Sequence, residues 1–492
     1  VNVDGNELKI VRTWALSKYR EQKVSASSAF IYDKNPNLQQ QYDGTNRIAI
    51  SLKKGDKFSF ALLGSVCTGR DFIDPSDREV IYGAKEGLNR LMDGHRKLWN
   101  ELWEGDIMIE GDDEAQRAVR FALYNLYSNA RKGSRLSISP FGLSAQGYNG
   151  HIFWDTEFWM YPPMLFMNQG IARTMMDYRT DRLEAACQRA LSYGYEGAMF
   201  PWESDDAGEE SCPTWALTGA FEHHITADIA IAAWNYYCMS GDKRWLREEG
   251  FPLMEKVAEF WVSRVEKNNE DGSYSIRNVV CADEYAEGVD DNAFTNGAAM
   301  RALQDAAKAA AVCGVKAPAI WKEIASKLRI PKFENGVTME YEGYNGQTIK
   351  QADANLLVYP LNLITRPEEI RKDLEYYEDK IDKTGPAMSF SVLALQYARL
   401  GEGDKAYELF VQSFRPNQLP PFGVISEGAG GTNPYFVTGA GGLLQTVING
   451  FCGLEVTDNG IKQLFSKLPK HWKKLTITGV GPDRKTYVRM QK

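Results

Sequence analysis

Histidine is scarce in this chain and cysteine follows no pattern. The five histidines, His95, His151, His223, His224 and His471, form no HExxH and no Cys/His cluster, which speaks against a metalloenzyme. His223 and His224 read as structural. Seven cysteines, Cys67, Cys187, Cys212, Cys238, Cys281, Cys313 and Cys452, are odd in number and lack CxxC spacing, so neither a disulfide framework nor a zinc site is indicated. Long basic runs are also missing, and the net charge of −8 disfavours a nucleic-acid partner. No apolar run is long enough to cross a bilayer, so a soluble chain without a membrane partner is expected. There is no GxSxG elbow, Walker motif, fixed-period repeat or low-complexity tract. GEGDKA (401–406) formally fits GxGxxA but follows a helical pattern, so it reads as a helix–helix turn. No cofactor and no metal is expected. The opening residues VNVDGNELKIV lack both an initiator Met and a signal-peptide pattern. They suggest a fragment and leave the compartment unknown, a periplasmic or secreted location being compatible; oligomeric state is equally open.

What the chain does have is length and aromatic side chains. Its 492 residues exceed a single typical core, and 12% are aromatic, including 12 Trp. Residues 1–80 alternate apolar and polar positions between turn signals, as in Arg47-Ile48-Ala49-Ile50, and predict part of a β-sandwich. A linker region, 81–111, carries a predicted helix over about 82–104. From 112 to 453 about a dozen segments show 3.6-residue periodicity, among them 115–131, 174–193, 227–239, 253–265, 292–312 and 389–400. That succession predicts a mainly α domain, a double-layered helical barrel with long loops between its helices. Residues 454–492 return to short β-like runs, 474–478 and 485–489, and predict a small C-terminal β element.

Two tryptophans stand beside acids, in HIFWDTE (151–157) and MFPWES (199–204). An indole face packs on the C–H face of a pyranose, and a neighbouring carboxylate accepts from the hydroxyls, so Trp154, Asp155, Trp202 and Glu203 suggest a sugar site. A core Trp beside a helix-capping acid is the alternative. The densest acidic stretch, CADEYAEGVDDN (281–292), precedes a helix start. Crowded carboxyls disfavour ionisation, which suits a general acid, and Glu284 is the candidate; an acidic capping loop or a calcium-binding turn would look similar. Glu427, alone in a glycine-rich loop (422–433), is the candidate partner, or else a solvated loop Glu. Lys350 and Gln351 stand at a helix entrance and offer sugar-binding donors, or a surface cap.

The motifs HIFWDTE, MFPWES, ADEY with DDNAFTN, KQAD and FVTGAGGLLQ, in this order, resemble glycoside hydrolase family 65. The likeness runs from about residue 90 to the end, and residues 1–80 resemble the later part of that family's N-terminal sandwich. It implies an (α/α)6 barrel flanked by β domains and inverting action on α-glucosides by hydrolysis or phosphorolysis. By the same resemblance, Glu284 matches the general acid, Trp154 and Asp155 the pocket for the nonreducing glucose, and Lys350 and Gln351 its border. Trp202 and Glu203 carry over as well. The family commonly reads DEYH where this chain has Ala286 after Tyr285, which removes one histidine from the site.

The loop around Glu427 resembles the hydrolase branch, in which this Glu activates water. An anionic phosphate needs no base and would be repelled by a nearby carboxylate in a low-dielectric cleft. Hydrolysis is therefore expected, against a phosphorylase or a catalytically silent glycan-binding protein, and the resemblance points to α-1,2-linked, kojibiose-like glucosides, with α,α-trehalose and nigerose as competitors. Hydrolysis requires the two acids to face one cavity.

Overall fold

Alternating patterns form sheet in the first unit because every second side chain turns to the same face. The computed structural model describes residues 2–3, 6–7, 10–16, 23–33, 37–40, 46–69, 75–144 and 147–491. Strands Val11–Leu16, Lys23–Tyr32 and Phe60–Thr68 make an antiparallel sheet with Lys23–Tyr32 in the middle, Ser28 opposite Gly64 and Arg12 opposite Ser27. Along the central strand Ser25, Ser27 and Ala29 are buried in alternation. Asn37–Gln40 pairs antiparallel with Asn46–Ala49. Stretches 41–45 and 70–74 of the predicted β region lie outside the described residues.

Where the sequence reads one helix over 82–104, the chain makes two, Pro75–Glu86 and Leu88–Leu102. Gly87 between them sits at φ 82°, a left-handed conformation that interrupts the helical ladder. Ala29 and Val80 form a small core with Ile31, Leu63 and Ile81 packed against it. The chain divides into two compact units, Val1–Trp103 and Glu104–Lys492.

The second unit is mostly helical. Among its described residues, twelve α-helices have seven or more residues. Helix Asp113–Asn129 starts where Asp112 accepts from the backbone N–H groups of Glu114 and Ala115. The pattern over 174–193 becomes two helices, Gln169–Thr180 and Leu183–Ser192. Arg182 divides them: its guanidinium lies 3.6 Å from the Tyr178 ring centroid and donates to the Tyr178 carbonyl at 2.8 Å, occupying an acceptor at the helix end. Helices His224–Ser240, Ala293–Cys313, Ser389–Arg399 and Val437–Gln445 are buried over most of their length.

Small residues make that burial possible. A Cβ on Gly441 would lie 2.5 Å from the Trp159 carbonyl oxygen, and one on Gly442 would lie 2.6 Å from Ser391 Oγ. The GAGG run of helix Val437–Gln445 therefore draws it against both the 159–160 backbone and helix Ser389–Arg399. At the end of the chain, Lys474–Val480 pairs antiparallel with Lys485–Met490 and also with Ile107–Glu110. The sequence reading recovers the two late strands but not Ile107–Glu110, whose four residues are too few for a periodic signal.

Candidate active site

Two bridging hydrogen bonds bring the tryptophan-bearing stretches together. The N–H of Ile152 donates to the Ser204 carbonyl at 2.9 Å, and the N–H of Ser204 returns to Ile152 at 2.8 Å. Glu210 fixes the second stretch by accepting from the backbone N–H groups of Trp202 and Glu203, at 2.8 and 2.9 Å. The indoles of Trp154 and Trp202 then stack with centroids 6.3 Å apart and planes inclined by 29°.

Behind them His224 is clamped between Asp228 (2.8 Å) and Glu222 (3.1 Å), its ring edge-on to Trp154 at 4.9 Å. Burial works against charging this imidazole, but the two carboxylates outweigh it and push its pKa up to about 10. Neighbouring His223 is pushed down to about 3 by burial and the nearby Arg264. Both histidines are buried, in keeping with their structural reading.

Trp154, Asp155, Trp202, Glu284, Lys350, Gln351 and Glu427 all line one cavity open to solvent, together with Pro140, Tyr148, Phe153, Pro386, Met388 and Phe436. Glu203 is not among the lining residues; its carboxylate is taken up by His151 Nδ1 at 2.6 Å. Asp155 accepts from Thr438 Oγ1 at 2.6 Å, and burial, opposed by that bond and joined by the charge of Glu427, pushes its pKa up to about 7.

Glu284 is carried by a loop whose neck closes where Val279 pairs with Val289, ahead of helix Ala293–Cys313. Asn292 caps that helix by accepting from the N–H of Thr295 at 2.8 Å, so the acidic run does end at a helix start. Lys350 Nζ donates to Glu284 Oε1 at 2.9 Å, and the side-chain amide of Gln351 donates to the Ala282 carbonyl. Burial would lower the pKa of Lys350, but the carboxylates of Glu284, Glu427 and Glu222 hold it above the ordinary lysine value.

Glu427 follows the short strand Val424–Ile425, and its loop is bridged to the other wall of the site where Pro386 pairs with Gly428. Its pKa is raised by burial, with the Glu284 charge adding to the shift; the Tyr148 hydroxyl, which donates to Glu427 Oε1 at 2.8 Å, and Lys350 act against it. A carboxylate that is buried yet hydrogen-bonded is suited to taking a proton from water. The sequence reading did not identify Tyr148, Thr438, Glu210 or the His224 cluster. Tyr148 and Glu210 stand without a local motif, and Thr438 lies inside FVTGAGGLLQ, where nothing in the motif points to Asp155 as its partner.

A model of the glycosyl hydrolase family 65 central catalytic domain matches residues 120–348. A kojibiose hydrolase of Flavobacterium johnsoniae is 53% identical over 479 residues, covering 95% of this chain and 70% of that protein. The chain belongs to glycosyl hydrolase family 65. A protein-glucosylgalactosylhydroxylysine glucosidase of Dictyostelium discoideum is 37% identical over 444 residues, 88% of this chain and 62% of that one. Among solved structures, a putative kojibiose phosphorylase from human microbiome superposes with a TM-score of 0.77 at 17% identity, over 95% of this chain and 71% of that one. That likeness extends to the fold of this family 65 chain, mostly helical with small sheets.

Proposed function

We propose that this family 65 chain is an inverting α-glucosidase acting on α-1,2-linked glucosides such as kojibiose, with its helices arranged as an (α/α)6 barrel. The observation that carries the reading is that Glu284 and Glu427, far apart in sequence, line one cavity with the Trp154 and Trp202 indoles. Similarity to the kojibiose hydrolase supports the linkage. The twelve helices and the fold likeness support the barrel.

The nonreducing glucose stacks against the indoles and is held by Asp155, Lys350 and Gln351, with the Trp202-Glu203 segment beside it. Glu284 gives its proton to the glycosidic oxygen as the bond to the anomeric carbon breaks. Glu427 takes a proton from a water molecule, whose oxygen attacks the same carbon from the opposite face and leaves β-glucose. Lys350 is paired with Glu284, so a sugar hydroxyl that competes for its ammonium changes the surroundings of the acid as substrate enters.

Hydrolysis rather than phosphorolysis follows from the charges around the nucleophile's place. Glu427, Glu284 and Asp155 line the cavity, and Lys350, the cation among the described lining residues, is already engaged by Glu284. A phosphate dianion there would meet carboxylates in a medium that screens them poorly.

The test is Glu427→Gln, expected to lower kcat by about 10²–10⁴-fold, together with proton NMR of the first product formed by the unaltered protein. β-Glucose should appear first, with or without phosphate. Initial α-glucose would exclude inversion, and phosphate-dependent release of β-glucose 1-phosphate that survives Glu427→Gln would mean phosphorolysis.

A further inference from the structure

Beneath the Glu284 loop lie three more carboxyl groups that the mechanism does not use. Asp283, Glu340 and Asp353 are all buried, Glu340 and Asp353 completely. Asp283 Oδ1 accepts the backbone N–H of Lys350 at 2.6 Å and that of Tyr285 at 3.2 Å. Asp353 accepts from Asn292 Nδ2 at 2.9 Å and from the Asp283 N–H at 3.4 Å. The Asn292 amide also donates to the Glu340 carbonyl at 3.0 Å. These contacts join the Glu284 loop, the Lys350–Gln351 loop and the start of helix Ala293–Cys313.

The Glu340 carboxyl is the unresolved member. Neither of its oxygens has a donor, although it faces Asp283 at hydrogen-bonding reach. Two carboxylates cannot bond to each other, and a buried charge left without a partner is strongly unfavourable. A proton on Glu340 removes the difficulty, because its hydroxyl can then donate to Asp283 while Asp283 continues to accept from the backbone.

We infer that Asp283, Glu340 and Asp353 form one positioning unit for Glu284, in which the neutral Glu340 carboxyl donates to Asp283 and Asp283 fixes the Glu284 loop against Lys350. Burial drives all three groups toward the protonated form, and the charges of Asp353 and Asp283 add to that drive at Glu340. The inference rests on the reading of Glu284 as general acid.

Glu340→Gln keeps the shape and supplies an amide donor, whereas Glu340→Leu keeps the bulk and supplies none. For a disaccharide, kcat should stay within about threefold in Glu340→Gln and fall about a hundredfold in Glu340→Leu, with KM changed little in either. With α-glucosyl fluoride, whose leaving group needs little protonation, the Glu340→Leu deficit should shrink to about tenfold or less. An infrared difference spectrum between the unaltered protein and Glu340→Gln should show loss of a protonated carboxyl C=O band, a measurement that stands even if Glu340→Leu does not fold.

Absence of that band, or equal deficits of Glu340→Leu on both substrates, would overturn the inference. So would destabilisation by a chelator with one divalent metal recovered per chain, which would assign Cys281, Glu340 and Asp353 to a cation instead. An unaltered protein inactive on both substrates would sink the glucosidase reading. An active one without the Glu340 contrast would sink this inference alone.

Discussion

Tyr148 reaches Glu427 from a backbone held where few side chains sit, with φ of 56° at Tyr148 and 51° at Asn149. Such positions cost about 1–3 kcal/mol each and persist where the surrounding structure enforces them. Here the Tyr148 ring packs edge-on to Phe153, one residue before Trp154, at 5.0 Å. Its hydroxyl lowers the pKa of Glu427 against the upward push of burial. Glu427 must be ionised to act as base, so Tyr148→Phe should move the acid limb of the kcat/KM profile to higher pH. A pH–rate series on the variant measures it, and an unmoved limb would dissociate Tyr148 from the base.

At the scale of elements, glycine in helix Val437–Gln445 does a different job from glycine in the Glu427 loop. In the helix it replaces side chains that would strike neighbouring backbone, whereas Gly423 and Gly430 sit at φ 73° and 70° in the loop. Gly441→Ala would place its methyl group 2.5 Å from the Trp159 carbonyl oxygen and 3.0 Å from Met160 Cα. Backbone cannot swing away as a side-chain end can. Destabilisation of about 1–3 kcal/mol is expected, visible in calorimetry as a Tm lowered by several degrees. The same motif read in sequence marks a family feature; its physical content is a close helix contact a few residues from Trp154 and Asp155. An unchanged Tm would show that the two elements part easily.

For the whole molecule, the cavity draws on residues from Pro140 to Phe436, most of the length of the second unit. Next to Glu284, exposed Tyr285 donates to Asp382 at 3.0 Å and ties the Glu284 loop to a third segment of the chain. With α-1,2 specificity, a panel of α-linked glucose disaccharides should give kojibiose the highest kcat/KM, by at least about tenfold over trehalose and nigerose, a difference of about 1.4 kcal/mol in transition-state binding. A flat panel, or one led by another linkage, would refute the assignment.

The sequence by itself determined the local chemistry: which tryptophans stand beside acids, that an acidic run ends at a helix cap, and that a lone glutamate occupies a glycine-rich loop. Those signals lie within a few residues of one another, so spacing and residue type suffice to read them. The resemblance of ordered motifs carried the family and matched roles to the two candidate acids. Tertiary structure decided that seven of the eight candidate site residues share a cavity while Glu203 turns to His151, and that Tyr148 bonds Glu427 across 279 residues. It also decided that Glu340 lies against Asp283 and that His224 is held between two carboxylates. The contacts of Tyr148, Glu203 and Glu340 join distant segments, whereas His224 meets acids two and four residues away. A solitary Tyr, Glu or His carries no periodicity or neighbour that announces its partner, and only the packing of helices and loops brings that partner within bonding distance.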